Sequence, residues 1–291
     1  MRREVVQWRG LEALRYSAGG TSVIVVPTRG AKIVSLCDRT GREWLAQGDG
    51  RSVPRDPATA FEDAEMCGWD ECVPTIDRSR TTRGLIAPDH GDAWNRAWRE
   101  SRPGALSTRL PSVDAGFERG ISLDADGRLT LSYRVEAGRA GADILWAAHP
   151  LFLREEGDRI SIDAAKPLWD VSAPTAAPAA GAPDDRVNAR MPEGASAKYY
   201  TDPGERPQWA RIDRRDGASL RLAWAGDAVR TLGVWLDRSG IGTEDVVALE
   251  PSTGWYDSVE VASASGRVLR LEPHAVAEWS LGISVLAPSP A

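Results

Sequence analysis

The chain consists largely of short segments rich in β-branched and aromatic residues, several of which alternate apolar and polar side chains with a period of two. Turn-forming residues bound these segments, which is the pattern of strands. Long stretches with the 3.6-residue periodicity of an amphipathic helix are scarce, so the strand–helix alternation of a parallel sheet is missing. The sequence predicts an all-β fold, an antiparallel sandwich with few helices. The clearest strands are residues 21–27, 31–37, 128–136, 219–226, 230–237 and 277–286.

Two regions interrupt the strand pattern. Residues 49–104 have little strand character but are dense in Trp, charged residues and Gly, and long irregular loops in compact domains are often functional. Residues 172–185 are Ala/Pro-rich without apolar periodicity, which predicts a flexible surface loop. Strand patterns continue on both sides of this loop, and no internal repeat is present. We therefore expect one domain over residues 1–291.

Charge and composition exclude several classes of partner. The net charge of -6 arises from 42 acidic and 36 basic residues dispersed along the chain, so no basic stripe suggests nucleic-acid binding. No run of about 18 apolar residues occurs, and the N-terminal segment carries charges, which predicts no membrane association and a cytoplasmic location. The three cysteines, Cys37, Cys67 and Cys72, form neither an even disulfide framework nor a C-x-x-C motif, so we expect structural roles in a reducing compartment.

Ionisable residues in distinctive contexts point to proton-transfer chemistry. Of three histidines, His90 lies in PDHGDAWNRAW and His149 in LWAAHPLF, whereas His274 lies in a turn between two strands. Imidazole titrates near neutrality and can donate or accept a proton. Glu250 follows the apolar strand DVVAL, and burial at such a position would raise its pKa and make it a better base. The alternative for each histidine is a purely structural role. The alternative for Glu250 is an exposed position at the end of a strand.

Taken in order, these motifs resemble those of the galactose mutarotase-like (aldose 1-epimerase) family. They are the His90-Gly91 loop, the strand-borne His149 with an aromatic ring at Phe152, and the late Leu-Glu-Pro around Glu250. The early TRGAKIVSL and the following TGREWL are similar to the opening strands of that family. The resemblance extends over about residues 20–285. It implies a β-supersandwich that binds a small carbohydrate on its concave face. The sequence leaves open whether the protein is a monomer or a homodimer.

The resemblance also implies residue roles. His149 would be the general acid that protonates the ring oxygen, Glu250 the general base that removes the anomeric hydroxyl proton, and His90 a ligand of the sugar. Opening a hemiacetal needs one proton to leave O1 and another to reach O5, so an acid and a base on opposite sides of the ring suffice without a cofactor. At pH 7 we expect His149 to be protonated and Glu250 ionised.

The segment before His90 departs from the galactose-type pattern. An Asn-Arg pair is common there, but this chain has CGWDECVPTIDRSR, in which Gly68, Cys72 and Pro74 resemble the Gly-x-x-x-Cys-x-Pro outline of the sugar-phosphate and uncharacterised branches. The choice between a free hexose, a pentose, a uronic acid and a phosphorylated sugar therefore stays open. Two alternatives to epimerase activity also stay open: a non-catalytic sugar-binding module, and other isomerase or lyase chemistry, which would need a third ionisable group.

Further residues are candidates for sugar contacts. Asp70 and Glu71 suit bidentate hydrogen bonding to vicinal hydroxyls, although acidic pairs in loops are usually solvated. Lys198, next to two tyrosines, can reach a hydroxyl or acid group. Twelve tryptophans against three phenylalanines favour stacking on a sugar face, although most are expected in the core. The remaining candidates are Trp94 and Trp98 as stacking platforms, Trp235 and Trp255 as weaker ones, and Arg96, with Arg99 and Arg102, for a phosphate.

The carboxylates near His90 are candidate metal ligands. Asp89, His90, Asp92 and the Asp70–Glu71 pair supply oxygen and nitrogen donors. No H-x-x-x-H motif and no carboxylate loop with calcium-site spacing is present, so the sequence gives no support for a metal site, although one stays possible, and no cofactor is predicted.

Overall fold

The computed structural model describes residues 1–51, 59–172 and 175–288. Within these ranges the chain forms short strands, two short α-helices (α1 Pro183–Val187 and α2 Val259–Ala264) and two 3-10 turns (Pro27–Arg29 and Phe61–Asp63). The strands are β1 Arg2–Trp8, β2 Leu11–Ala18, β3 Thr21–Val26, β4 Lys32–Cys37, β5 Trp69–Cys72, β6 Ser79–Arg80, β7 Ile86–Ala87, β8 Arg99–Arg102, β9 Ala105–Leu110, β10 Ala115–Leu123, β11 Leu129–Ala137, β12 Ala142–Ile144, β13 Ala147–Leu153, β14 Arg159–Ile162, β15 Trp169–Asp170, β16 Ala177–Pro178, β17 Ser196–Tyr200, β18 Trp209–Asp213, β19 Ser219–Ala225, β20 Thr231–Arg238, β21 Asp245–Ser252, β22 Leu269–Leu271 and β23 Val276–Leu286.

Two large antiparallel sheets carry most of these strands. The larger has the order β1-β2-β3-β4-β5-β13-β21-β20-β17-β15-β16, and the smaller has the order β14-β18-β19-β23-β11-β10-β9-β8. The remaining strands form two small ladders, β12-β22 and β6-β7. The all-β, antiparallel prediction is confirmed. No helix among the described residues is long and apolar enough to cross a membrane.

All six of the clearest sequence-predicted strands are confirmed, as β3, β4, β11, β19, β20 and β23. The Ala/Pro-rich segment 172–185 is not wholly a loop, because it contains β16 and the start of α1, which has Pro183 at its first turn. Proline suits that position, where its missing N–H would have no helical partner. Residues 173–174, like 52–58 of the loop region 49–104, lie outside the described residues.

The main core lies between the two sheets. On β11, Leu131, Tyr133 and Val135 are buried while Arg134 and Glu136 on the other face are not, as the period of two requires. The core cluster joins these side chains to residues of the larger sheet, from Leu14 on β2 onwards. Burying this alternating set of side chains is the chief stabilising contribution to the sandwich.

The larger sheet is buried on both faces near its centre. Phe152 of β13 points into the main core, whereas the next residue toward the N-terminus on the opposite face, Leu151, packs with Ala248 of β21 in a separate cluster. Partly buried Met66 and Trp235 cover that cluster. This second face, which points away from the smaller sheet, carries the candidate site.

Candidate active site

Strand register places His149 of β13 opposite Glu250 of β21. Ala147 pairs with Ser252 and Leu151 with Ala248, so the intervening residues 149 and 250 face each other. The ladder is open between these two pairs, where Pro150 and Pro251 lie. Because proline has no N–H to donate, it interrupts strand pairing. The two prolines thus mark the point where this pair of side chains leaves the regular sheet.

His149 and Glu250 form a buried, directly bonded pair. His149 Nδ1 lies 2.9 Å from Glu250 Oε1, and the side chains are 6% and 1% exposed. Burial would raise the pKa of Glu250, but the Lys198 ammonium and the bond to His149 outweigh it and hold that pKa at about 2. Burial lowers the pKa of His149 below its usual value despite Glu250. Both shifts favour a carboxylate beside a neutral imidazole over the protonated His149 expected from the sequence.

Lys198 completes a charged row on the same face of the sheet. Its Nζ lies 2.6 Å from Glu250 Oε2 and 3.2 Å from Asp257 Oδ1, and Tyr200 Oη donates to that same Asp257 oxygen at 2.7 Å. Burial would lower the pKa of Lys198, but Asp257 and Glu250 raise it above its usual value. Gly233 lies between Glu250 and Tyr200, where an added Cβ would be 3.0 Å from Glu250 Oε2 and 3.1 Å from the Tyr200 ring. The absence of a side chain at residue 233 leaves space for this row.

The His90-Gly91 motif forms a tight turn beside the pair. His90 adopts a positive φ of 57°, and its N–H donates to Ile76 O at 2.6 Å. Gly91 is required here because its φ is 77° and a Cβ would lie 2.2 Å from Val73 O. The turn sets the His90 ring 5.2 Å from the His149 ring, centroid to centroid. Asp89 Oδ2 lies 3.0 Å from His90 Nδ1, so each imidazole has a carboxylate beside its Nδ1, although the Asp89 contact is not aligned as a hydrogen bond as the Glu250 contact is.

His90, His149 and Lys198 line a cavity of about 240 Å³. Phe61 stacks on His90 with centroids 3.6 Å apart, and Trp235 lies 5.9 Å from His149. The apolar walls and the few convergent polar groups are typical of a small-molecule site. The lining residues are Phe61, Glu62, Met66, Ile76, Asp77, Asp89, His90, His149, Lys198, Trp235, Ile241 and Asp257.

The structure separates Asp70 from Glu71 and brings neither to the cavity. Asp70 forms a buried ion pair with Lys32, whereas Glu71 points the other way, into the core between the sheets. Glu71 accepts bonds from Arg119 Nη1 at 2.8 Å, Tyr133 Oη at 3.0 Å and Trp146 Nε1 at 2.7 Å. The prediction that both carboxylates bind vicinal hydroxyls is corrected, because adjacent residues of β5 point to opposite faces.

The aromatic and arginine candidates after His90 are also placed elsewhere. Trp98 is 3% exposed in the main core, and Trp94 is buried behind Phe61 with its Nε1 donating to Asp89 O at 2.9 Å. Arg96 is exposed and lines a different groove, with Arg99 and Arg109. Neither tryptophan is a stacking platform in this cavity, and Arg96 cannot hold a phosphate there. Of the tryptophans singled out in the sequence, Trp235 is the one that lines the cavity.

Several lining residues escape sequence reasoning. Phe61, Asp77 and Asp257 carry no motif, and each comes from a different part of the chain. Asp257 directly follows the Gly-Trp-Tyr segment after Glu250. This position is the single local indication in the sequence that Asp257 lies near the site. Cys72, expected to be structural, has a donor atom within 4.8 Å of those of His90 and His149. These residues come together because of strand pairing and register, which the local sequence does not show.

Two imidazoles, each with a carboxylate nearby, line one small cavity of an all-β sandwich. Such an arrangement can transfer protons to and from a small polar molecule. Neither a model of a known protein family nor a curated protein sequence matches the chain.

Solved structures do match it along almost its whole length. A galactose mutarotase-like protein from Clostridium acetobutylicum superposes with a TM-score of 0.68 and 15% identity, covering 98% of this chain and 97% of its own. A candidate aldose 1-epimerase from Klebsiella pneumoniae gives 0.71 and 16%, covering 96% and 80%. A galactose mutarotase related enzyme from Lactobacillus acidophilus gives 0.67 and 13%, covering 95% and 98%. The protein therefore has the galactose mutarotase-like fold.

Proposed function

We propose that this protein is an aldose 1-epimerase-like isomerase that interconverts the α and β anomers of a small sugar. The observation that carries the proposal is the pair of imidazoles in one cavity, His149 backed by Glu250 and His90 backed by Asp89. Ring opening of a hemiacetal needs one proton acceptor and one proton donor within reach of O1 and O5. The two rings, 5.2 Å apart, can supply both to one bound sugar.

The geometry supports different roles from those expected of the sequence motifs. Both oxygens of Glu250 are engaged, by His149 and Lys198, and Glu250 does not line the cavity. The neutral His149, with its Nδ1 bound to Glu250, has Nε2 left to accept the O1 proton. His90, which must enter the reaction as the imidazolium, gives its proton to O5, so that one ring gains the proton that the other loses. Acid and base lie side by side on one wall of the cavity, not on opposite sides of the ring.

Rotation about C1–C2 in the open-chain sugar exposes the other carbonyl face, and closure reverses the two transfers. Glu250 stabilises the positive charge that His149 gains, and Asp89 balances the charge on His90. Trp235, 5.9 Å from His149, offers an apolar face for the sugar ring. Within the described residues this scheme uses only groups of the chain itself.

The direct test is saturation-transfer NMR of α/β exchange over a panel of neutral, acidic and phosphorylated sugars. We expect the protein to speed exchange of at least one sugar, and His149→Ala to abolish that effect. Exchange at the buffer rate for every sugar in the panel contradicts the proposal.

A second candidate function follows from the extra ionisable groups in the cavity. Lys198, Asp77 and Asp257 line it together with the two imidazoles, and isomerisation or elimination on a sugar needs such a third group. This activity would exchange a carbon-bound proton, which mutarotation does not. Deuterium incorporation at C2 after incubation in D2O separates the two functions, and its absence leaves epimerisation as the one supported.

A further inference from the structure

Cys72 has no part in the proposed proton transfer, yet it lies against both imidazoles. One donor atom from each of Cys72, His90 and His149 lies within 4.8 Å of the other two. They come from β5, from the turn before Gly91 and from β13, so the fold, not local sequence, assembles them. A sulfur and two imidazole nitrogens are a donor set that zinc prefers, and three protein ligands are typical of zinc sites with an open position.

The surroundings of the two histidines match those of metal ligands. Metal-binding histidines almost always place their second ring nitrogen against a carboxylate, a carbonyl or water, which fixes the ring. Here Glu250 Oε1 lies 2.9 Å from His149 Nδ1 and Asp89 Oδ2 lies 3.0 Å from His90 Nδ1. Each ring therefore has its Nε2 uncommitted to these carboxylates.

The cavity also suits a cation in charge and space. Asp77, Asp89 and Asp257 line it, and their negative charge exceeds the single positive charge of Lys198. Its volume of about 240 Å³ leaves room for a further, exchangeable ligand. Zinc bonds of roughly 2.0–2.3 Å hold tetrahedral donors about 3.5 Å apart, so the three donors must close by roughly 1 Å on binding.

We infer that the cavity binds one divalent ion of the zinc class through Cys72, His90 and His149, with the fourth coordination position open to the cavity. The ion occupies the two imidazoles that the sugar reaction requires. Bound metal therefore inhibits epimerisation in competition with the sugar; this consequence, unlike the binding itself, rests on the proposed function.

Cobalt(II) is the probe, because its absorption reports both tetrahedral geometry and thiolate ligation. Titration of chelator-treated protein should give visible d–d bands and a near-ultraviolet thiolate-to-cobalt charge-transfer band that saturates at one ion per chain and is lost on adding zinc(II). Cys72→Ser should remove the charge-transfer band. Cys37→Ser, which alters a more exposed cysteine outside the cluster, should leave it unchanged.

Two further variants keep the test valid if Cys72→Ser folds poorly. His90→Asn retains a residue that tolerates a positive φ but removes the imidazole, so it should abolish the d–d bands. Glu250→Gln should weaken cobalt binding by about 10- to 100-fold, as loss of a carboxylate partner does at other sites. No saturable binding of either ion, or a charge-transfer band that survives Cys72→Ser, overturns the inference.

The activity measurement separates the two proposals. Zinc(II) should slow sugar exchange by the wild type at concentrations at which Cys72→Ser is little affected. Exchange that rises with zinc(II) overturns the inhibitory role. If no sugar is exchanged at all, the proposed function fails while the cobalt spectra still decide the metal site.

Discussion

Glu250 lies between His149 and Lys198, with Oε1 2.9 Å from the imidazole Nδ1 and Oε2 2.6 Å from the ammonium Nζ. Neither carboxylate oxygen is left for a sugar hydroxyl while both bonds are made. In the proposed mechanism the carboxylate therefore acts through His149: it accepts a hydrogen bond from Nδ1–H, orients the ring and stabilises the imidazolium formed during proton transfer. Four predictions follow from this arrangement and from the core beneath it.

Glu250→Gln keeps the size of the side chain but removes its charge. An amide both donates and accepts hydrogen bonds, so it no longer dictates which nitrogen of His149 carries the proton. We expect the rate of anomer exchange to fall by roughly 10²- to 10⁴-fold, the usual contribution of a general acid or base. Glu260→Gln, on the exposed face of α2, is the matched control and should leave the rate unchanged. A Glu250→Gln rate within a few-fold of wild type would remove Glu250 from the mechanism.

Lys198→Met tests how the pKa of Glu250 is set. The Lys198 charge is the strongest influence holding that pKa at about 2, well below its ordinary value of 4.5. Glu250 therefore stays ionised down to about pH 2, and the acid limb of the wild-type profile comes from protonation of His149, which must be neutral to accept the sugar proton. The Lys198 charge lowers the pKa of both groups, so without it both pKa values rise and the acid limb should move to higher pH.

The measurement is the pH profile of the exchange rate for Lys198→Met beside Lys166→Met. Lys166 is exposed and pairs with Asp202 away from the cavity, so its variant should follow the wild-type profile. Superimposable acid limbs for Lys198→Met and wild type would show that Lys198 does not control the protonation of the His149–Glu250 pair.

Gly233→Ala probes the spacing of the charged row. The new Cβ would lie 3.0 Å from Glu250 Oε2 and 3.1 Å from the Tyr200 ring, closer than ordinary van der Waals contact. Displacing these groups should cost about 1–3 kcal/mol of unfolding free energy and lower activity, as overpacking does in other cores. Gly116→Ala is the control, since the nearest atom to its Cβ is Arg109 Nη1 at 3.7 Å. The measurements are denaturant unfolding and the rate of anomer exchange for both variants. Equal values for the two would mean that the charged row can accommodate the added methyl group.

Much of the fold is predictable from local pattern, because strand periodicity shows directly in segments such as 128–136 and 277–286. His149 and Glu250 are also accessible to sequence reasoning, since each precedes a proline that interrupts its strand. Their partners are less so. Lys198 meets Glu250 because β17 and β21 both flank β20, and β17 pairs with β20 although β18 and β19, which lie between them in the chain, belong to the smaller sheet. Local pattern carries no information on such pairings.

Asp70 and Glu71 show the same limit more sharply. The two acidic residues look equivalent in the sequence, but the pleat of β5 sends one to Lys32 and the other into the main core. A buried acid is tolerated at residue 71 because Arg119, on the opposite sheet, pairs with it, and Tyr133 and Trp146 donate hydrogen bonds to it. No spacing within the chain reveals a partner 48 residues away.

Arg119→Met tests how much the buried Arg119–Glu71 pair contributes to the free energy of unfolding. Arg119 and Glu71 are both fully buried, with Nη1 2.8 Å from Oε1, and burial already raises the pKa of Glu71 against the opposing effect of Arg119. Removing the guanidinium leaves a carboxylate without its counter-charge between the sheets, which should cost about 3–5 kcal/mol of unfolding free energy. Arg109→Met, which breaks the exposed pair with Asp114, should cost under about 1 kcal/mol. Chemical denaturation gives both values.

A double variant, Arg119→Met with Glu71→Leu, should recover much of the lost unfolding free energy because no unpaired charge remains. Failure to recover it would assign the cost to packing instead.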